Sequence, residues 1–296
     1  MVAIFEHAAA CLAITSPEDK CSHVTDLWMA VESDDFEFDP HTPVEPIGVA
    51  GHPSRPELVE PSQVRRRRLG SEAGLAALVH AITHIEFNAI NLALDDVYRF
   101  RDMPRQYYLD WVSVAADEAR HFQLLSTRLK SIGYSYGDFP AHNGLWEMAQ
   151  RTADDCLKRM ALVPRVLEAR GLDVTPGMIE RLKTVGDDET VRILRIILEE
   201  EVRHVEIGTY WFRACCDQRG LEPESTFLGL VREHFSGLLR GPFNMSARTQ
   251  AGFTQREMDA ISSSRRRPGP PSPRTALPVG THAIPAPVPS SPPRRP

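Results

Sequence analysis

The sequence predicts an all-α chain, a four-helix bundle with additional N- and C-terminal helices. Two observations carry this. Several runs of about thirty residues place apolar side chains at helical spacing, and each is bounded by a cap, a proline or a glycine. Within these runs the chain twice repeats one plan. Glu86 precedes the Glu118-x-x-His121 motif by 118 − 86 = 32 residues, and Glu168 precedes Glu201-x-x-His204 by 201 − 168 = 33 residues.

Residues 1–66 read as an N-terminal helical and extended segment packed on the bundle. Met1–Thr15 is apolar but lacks a basic start and carries Glu6 and His7, so it reads as an amphipathic helix and not a signal peptide. Ser16-Pro17-Glu18 starts the next helix, from which Trp28 and Met29 are expected to pack inward. Residues 34–66 contain six prolines, too many for regular helix, and end in the run Arg65 to Arg68. That run reads as a solvated face or a partner for acidic groups.

Residues 67–263 read as the bundle. Its first helix spans about 71–100, with Ser71 as N-cap. Val79, Ile82, Ile90 and Ala93 fall at −7, −4, +4 and +7 from Glu86, so this carboxylate sits inside an apolar stripe. His80 and His84 lie off that face and read as structural. The second helix spans about 104–131 and closes at Gly133; the third is expected over 144–170, ending at Gly171. Pro164 should kink it one turn before Glu168. Glu147 and Glu180 are worse placed than Glu168, at 201 − 147 = 54 and 201 − 180 = 21 residues from Glu201. Thr175-Pro176 is expected to start a separate helical turn. The fourth bundle helix spans about 187–219 and closes at Gly220. A helix over 224–239 with an apolar face of Phe227, Leu230, Val231, Phe235 and Leu238 follows, then a short one over 254–261. Residues 264–296 are Pro, Ser and Arg with few apolar side chains, and read as a disordered tail.

The formal charge of −6 divides unevenly. The tail from Ser264 has six Arg and no acid, leaving about −6 − 6 = −12 on the body. An acidic body argues against nucleic-acid binding. Five cysteines without a Cys-x-x-Cys fit a reducing compartment, the cytoplasm by default. No run of about 18 consecutive apolar residues exists, so no membrane span is expected.

Residues three apart on a helix share a face. Each Glu-x-x-His therefore aims a carboxylate and an imidazole at one spot. Two helices giving a Glu and two giving Glu-x-x-His form the ligand set of a ferritin-like di-iron or di-manganese protein. The expected metal ligands are Glu86, Glu118, His121, Glu168, Glu201 and His204. Four carboxylates and two imidazoles suit two Fe ions, Mn or a mixed Fe/Mn pair, the four negative charges offsetting four positive. A metal-free cluster of carboxylates should repel itself, and Glu118→Gln is expected to relieve part of that repulsion.

The chain also resembles a bacterial group of ferritin-like proteins of unknown function. Three strings carry the resemblance: Pro56-Glu57-Leu58-Val59 with the basic run and Leu69-Gly70-Ser71; His80-Ala81-Ile82-Thr83-His84-Ile85-Glu86; and Leu167-Glu168-Ala169-Arg170-Gly171-Leu172-Asp173. It spans about residues 1–260 and implies a ferritin-like bundle with the ligands above, but no substrate. More distantly, Asp117-Glu118-x-Arg120-His121 resembles the helix of ribonucleotide reductase small subunits, in which the residue before the Glu supports a ligand His. The second copy has Glu200 at that place. A tRNA hydroxylase shares the same wider superfamily. The leading reading is an oxidoreductase that activates O2 or peroxide, with an unidentified small-molecule substrate, an electron donor and a homodimer as expected partners. The alternatives are a metal-binding or peroxide-scavenging protein without organic substrate, and a metal-free helical scaffold. The kink at Pro164 is the expected substrate entrance.

Overall fold

The structure, a computed structural model, describes residues 1–263 apart from 40, 42, 65, 66, 236–238 and 240. The expected disordered tail, Leu238 and the first half of the basic run lie outside the described residues. The chain is all-α apart from two short paired strands, β1 (Val2–Ala3) and β2 (Phe36–Glu37), which run parallel.

Helices α1 (Ile4–Ala13) and α2 (Pro17–Glu32) pack on the bundle. Ser16 caps α2 by accepting from the Asp19 N–H, with Pro17 in the first turn where its missing N–H costs nothing. Lys20 is fully buried. Its Nζ donates to Cys11 O, Leu12 O and Asn91 Oδ1 at 2.9, 3.1 and 2.7 Å, so it closes the end of α1 and ties both N-terminal helices to the bundle. Trp28 packs against the core as expected. Met29 does not: it is 51% exposed, because the inward face of α2 is set by Leu27, Ala30 and Val31.

Helix α3 (Glu72–Arg99) starts at Ser71, which accepts from the Gly74 N–H at 3.1 Å. It is long and apolar enough to cross a membrane by length and mean hydropathy, yet 67% of its most apolar window is buried inside the protein. Helices α1, α4 (Arg105–Ser131) and α5 (Gly144–Arg151) cover it, so it is the central helix of the bundle. His80 and His84 are structural. His80 Nε2 accepts from the Gly137 N–H, and His84 Nδ1 lies 2.8 Å from the Tyr136 hydroxyl. Burial pushes both imidazoles down to about 4, so they are neutral.

The single helix expected over 144–170 is broken. Helix α5 is followed by α6 (Cys156–Leu162), a π-helical turn at Val163–Glu168 and α7 (Ala169–Thr184). Asp155 restarts the chain by accepting from the Leu157 N–H. Buried Arg159 then crosses the break, donating to Ala149 O and Thr152 Oγ1 and pairing with Asp95 and Asp96 of α3.

The helix also does not stop at Gly171, and Pro176 lies inside α7 instead of starting a new turn. Proline at 176 leaves the carbonyl of Leu172 without its helical donor. The side chain of Asn244 supplies one: Asn244 Nδ2 donates to Leu172 O at 3.2 Å. Arg248 clamps the same turn through Asp173 at 2.8 Å. Asn244 caps α10 (Met245–Gln250), a short helix that the sequence did not announce.

Helix α8 (Asp188–Gln218) is capped by Asp187 and closed at Gly220, whose φ of 63° only glycine adopts without strain. Helix α9 (Pro223–His234) is shorter than expected and buries Phe227 and Val231; α11 (Gln255–Ser263) ends the described chain.

Candidate metal centre

The site is assembled by α3, α4, α8 and the π-helical turn before α7. One ligand atom each from Glu86, Glu118, His121 and Glu201 lie within 4.8 Å of one another. The spacing of three in each motif does this locally. Glu118 and His121 share the inner face of α4, and Glu201 and His204 that of α8. The first motif's face also carries buried Trp111, Val114, Ala115, Phe122 and Leu125; the second's carries Leu194, Ile197, Val205 and Phe212. These side chains give the polar cluster an apolar surround.

Glu118 is the hub. Its Oε2 lies 3.3 Å from His121 Nδ1, and its Oε1 lies 2.9 Å from His204 Nδ1. His121 Nδ1 is also 3.3 Å from Glu86 Oε2, and His204 Nδ1 is 3.7 Å from Glu201 Oε2. Both imidazoles thus turn Nδ1 inward. Their outward nitrogens are held by the opposite motif. His121 Nε2 lies 2.6 Å from Glu200 Oε2, and His204 Nε2 lies 3.2 Å from Asp117 Oδ2. Asp117 therefore has the expected supporting role, and Glu200 has it too. The two arginines complete the crossing: Arg120 pairs with Asp117 and Glu200, and Arg203 with Asp117 and Ser113.

The electrostatics follow from burial and from this pairing. Burial and the neighbouring Glu118 charge raise Glu86 well above the usual carboxylate range. Burial, with the charges of Glu201 and Glu118, does the same to Glu168, and burial with Glu118 raises Glu201. Glu118 is also fully buried, but hydrogen bonds to His121 and His204 outweigh that and hold it well below. Burial opposes charge on both imidazoles, yet their carboxylate partners raise them well above the usual range. Without a cation the charged form is therefore favoured at Glu118 and at both imidazoles, and disfavoured at Glu86, Glu168 and Glu201.

The residues fit a bound metal. Glu168 Oε2 and Glu201 Oε2 are buried without a hydrogen-bond partner, whereas Glu118 Oε1 and His204 Nδ1 face each other at 2.9 Å. Burying two such carboxylate oxygens is costly unless something satisfies them. Oxygen and imidazole donors converging on one spot satisfy a hard or borderline divalent cation. The four-residue cluster omits Glu168 and His204. His204 joins it through Glu118 and Glu201. The charges of Glu201 and Glu118 act on Glu168 as well, but Glu168 stands outside the four-residue cluster. Glu147 is no part of it, and Glu180 pairs with Lys183 on the surface.

Pro164 does not open the entrance expected of it. The backbone bends, but the ring is buried against Gly208 of α8, where an added Cβ would collide with the proline Cβ and Cγ. The bend is filled. The sequence does not announce Arg120 and Arg203 as the crossed partners of Asp117 and Glu200, nor the buried Arg159–Asp95–Asp96 group.

A family model described as "Protein of unknown function (DUF455)" matches residues 13–259. An uncharacterized protein of Haemophilus influenzae (strain ATCC 51907 / DSM 11121 / KW20 / Rd) is 43% identical over 272 residues, 87% of this chain and 93% of its own length. No solved structure matches.

Proposed function

The chain belongs to the DUF455 family of proteins of unknown function, and we propose that it is a ferritin-like di-metal carboxylate oxidoreductase that activates O2. The observation that supports this reading best is the orientation of the imidazoles. Each ring is gripped through Nε2 by a carboxylate of the other motif, which leaves Nδ1 pointing inward. Outer carboxylates of this kind fix the ring and raise its basicity as a ligand. A bundle that merely tolerated buried histidines would have no need of two such supports.

Two Fe ions, or Mn in their place, would be held by Glu86, Glu118, His121, Glu168, Glu201 and His204. When bound and reduced they would supply the electrons for O2 reduction. The chain's own contribution is geometry, protons and dryness. Glu118, with an oxygen toward each imidazole, would be among the residues that hold the ions. To hold a cation, His121 and His204 would present a bare Nδ1 and Glu86, Glu168 and Glu201 would be ionised, so binding would release protons. Glu200 and Asp117 keep the Nε2 protons in place. The apolar faces of α4 and α8 exclude bulk water from the centre. The organic substrate and electron donor are assigned by class only, as a small molecule and an external reductant.

The test is anaerobic reconstitution with Fe(II), metal analysis and O2 consumption. Saturation at about two ions per chain, with O2 consumption that needs both, is the expected result. No retained metal would overturn the reading. Uptake far beyond two ions would replace it with storage, and fast peroxide turnover without any effect of added organic compounds would replace it with scavenging.

A further inference from the structure

The π-helical turn that ends in Glu168 is gripped from outside the bundle. Arg165, three positions before Glu168 (168 − 165 = 3), is fully buried and turns toward the C-terminal helices. Its Nη2 donates to both carboxylate oxygens of Glu257 in α11, each at 2.8 Å. Its guanidinium carbon lies 4.0, 4.6 and 4.8 Å from the ring centroids of Phe227, Phe253 and Phe212. Aromatic faces attract a guanidinium, but they do not neutralise it. Among the described residues no acceptor reaches Arg165 Nε or Nη1, so the hold on this charge rests on Glu257.

Glu257 is itself fixed. Its Oε2 accepts from the Thr254 N–H at 2.9 Å, and Thr254 Oγ1 accepts from the Glu257 N–H at 3.2 Å. A second grip lies five positions after Glu168 (173 − 168 = 5). There Arg248 of α10 meets Asp173 through Nε and Nη2, at 2.9 and 2.8 Å, and stands 4.9 Å from the same Phe253 ring. The turn is thus held on both sides of Glu168 by residues 248–257. Glu168 Oε2 is buried with no protein donor, so the heading of that oxygen is left to the backbone of the turn.

We propose that Glu257, acting through Arg165, is a positioning residue for Glu168: the C-terminal helix holds the π-helical turn in the phase that aims this carboxylate at the centre. The proposal rests on the di-metal reading above. It predicts an uneven effect. Glu86, Glu118, His121 and Glu201 stand on α3, α4 and α8 and do not depend on the turn. One ion should therefore need the clamp and the other should not. A pair that merely fastened α11 to the body would favour neither.

The test titrates the full chain with Co(II), followed by visible absorption and by competition with a chelator. Wild-type protein should bind two ions. Glu257→Gln should leave the tighter step unchanged and weaken the other by about 10-fold or more. Val24→Ala, a buried substitution in α2, is the stability control and should spare both steps. Circular dichroism checks that each variant is folded. If Glu257→Gln is not, Arg248→Lys decides, since it keeps the charge but gives up the two-nitrogen grip on Asp173; it should show the same selective loss. Two unchanged steps in the folded variant overturn the inference. So does an equal loss of both ions, or the same selective loss in Val24→Ala. Wild-type protein that binds no Co(II) overturns the di-metal reading, and this inference with it.

Discussion

Glu200 Oε2 lies 2.6 Å from His121 Nε2, although Glu200 belongs to α8 and His121 to α4. Asp117 reaches from α4 to His204 of α8 in return, at 3.2 Å. Each Glu-x-x-His motif thus provides its own inward donors and the orienting group of the other. The centre depends on the register of α4 against α8 as much as on any single ligand.

Removing an orienter should weaken metal binding without unfolding the chain. For Glu200→Gln we expect a loss of about 10- to 100-fold in metal affinity. Competition with a chromophoric chelator measures it. Unchanged affinity would reduce Glu200 to a surface partner of Arg120.

Glu118→Gln should not relieve the metal-free protein, contrary to the simple repulsion argument. Glu118 is the carboxylate that its hydrogen bonds hold below the usual range, and it is the partner of both imidazoles. Deleting one partner of a buried charge group costs about 3–5 kcal/mol. Glu168→Gln, which replaces a carboxyl that burial and the charges of Glu201 and Glu118 push upward, should cost far less. Urea unfolding of the two metal-free variants at neutral pH ranks them, and the reverse order would refute this charge assignment.

The metal-free protein should lose stability as pH rises through neutrality. Glu86, Glu168 and Glu201 have folded values above their ordinary 4.5, so the folded state holds more protons and stability falls as pH climbs from there. His121 and His204 are raised above 6.5; their contribution is complete below that pH and is lost as pH passes their folded values. Glu118 and Glu200 are lowered and act oppositely, but only in acid. Bound metal should reverse the alkaline slope, because its ligands must be deprotonated. Thermal unfolding from about pH 6 to 9, with and without metal, checks both signs.

Asn244 should matter in proportion to Pro176. Asn244→Ala leaves the Leu172 carbonyl without its donor, an expected cost of about 1–3 kcal/mol. In a Pro176→Ala background the helix supplies that donor itself and the cost should shrink. A double-mutant cycle by denaturant unfolding measures the coupling; additive costs would mean that Asn244 acts only as the cap of α10.

The sequence made the inner faces of the bundle legible because a period of 3.6 and a spacing of three are local. Glu86, Glu118, His121, Glu201 and His204 could be found that way. Glu200 could be placed by its match to Asp117, but its contact with His121 could not, because it spans 79 positions and is set by how α8 lies on α4. The third helix was misread for a related reason. Pro176 is a helix breaker locally, and only Asn244, 68 positions later (244 − 176 = 68), makes it tolerable. Arg159 likewise rests on Asp95 and Asp96, which reveal nothing of the break in their own neighbourhood.

The π-helical turn at Val163–Glu168 acts as a phase shifter. A wide turn holds one residue more than an α-helical turn, and one residue is about 100° of rotation. The heading of Glu168 is therefore set by a surplus residue and not by its distance from any landmark on α6. Gly208 keeps the surplus from being ironed out, since it alone leaves room for Pro164. Shortening 163–168 by one position would swing the carboxylate by about a quarter of a circle, with every ligand still present in the sequence. The chain would retain its composition and its motifs while its centre lost a wall. A relative that carries all six ligands but a residue fewer in this turn would be a different kind of protein.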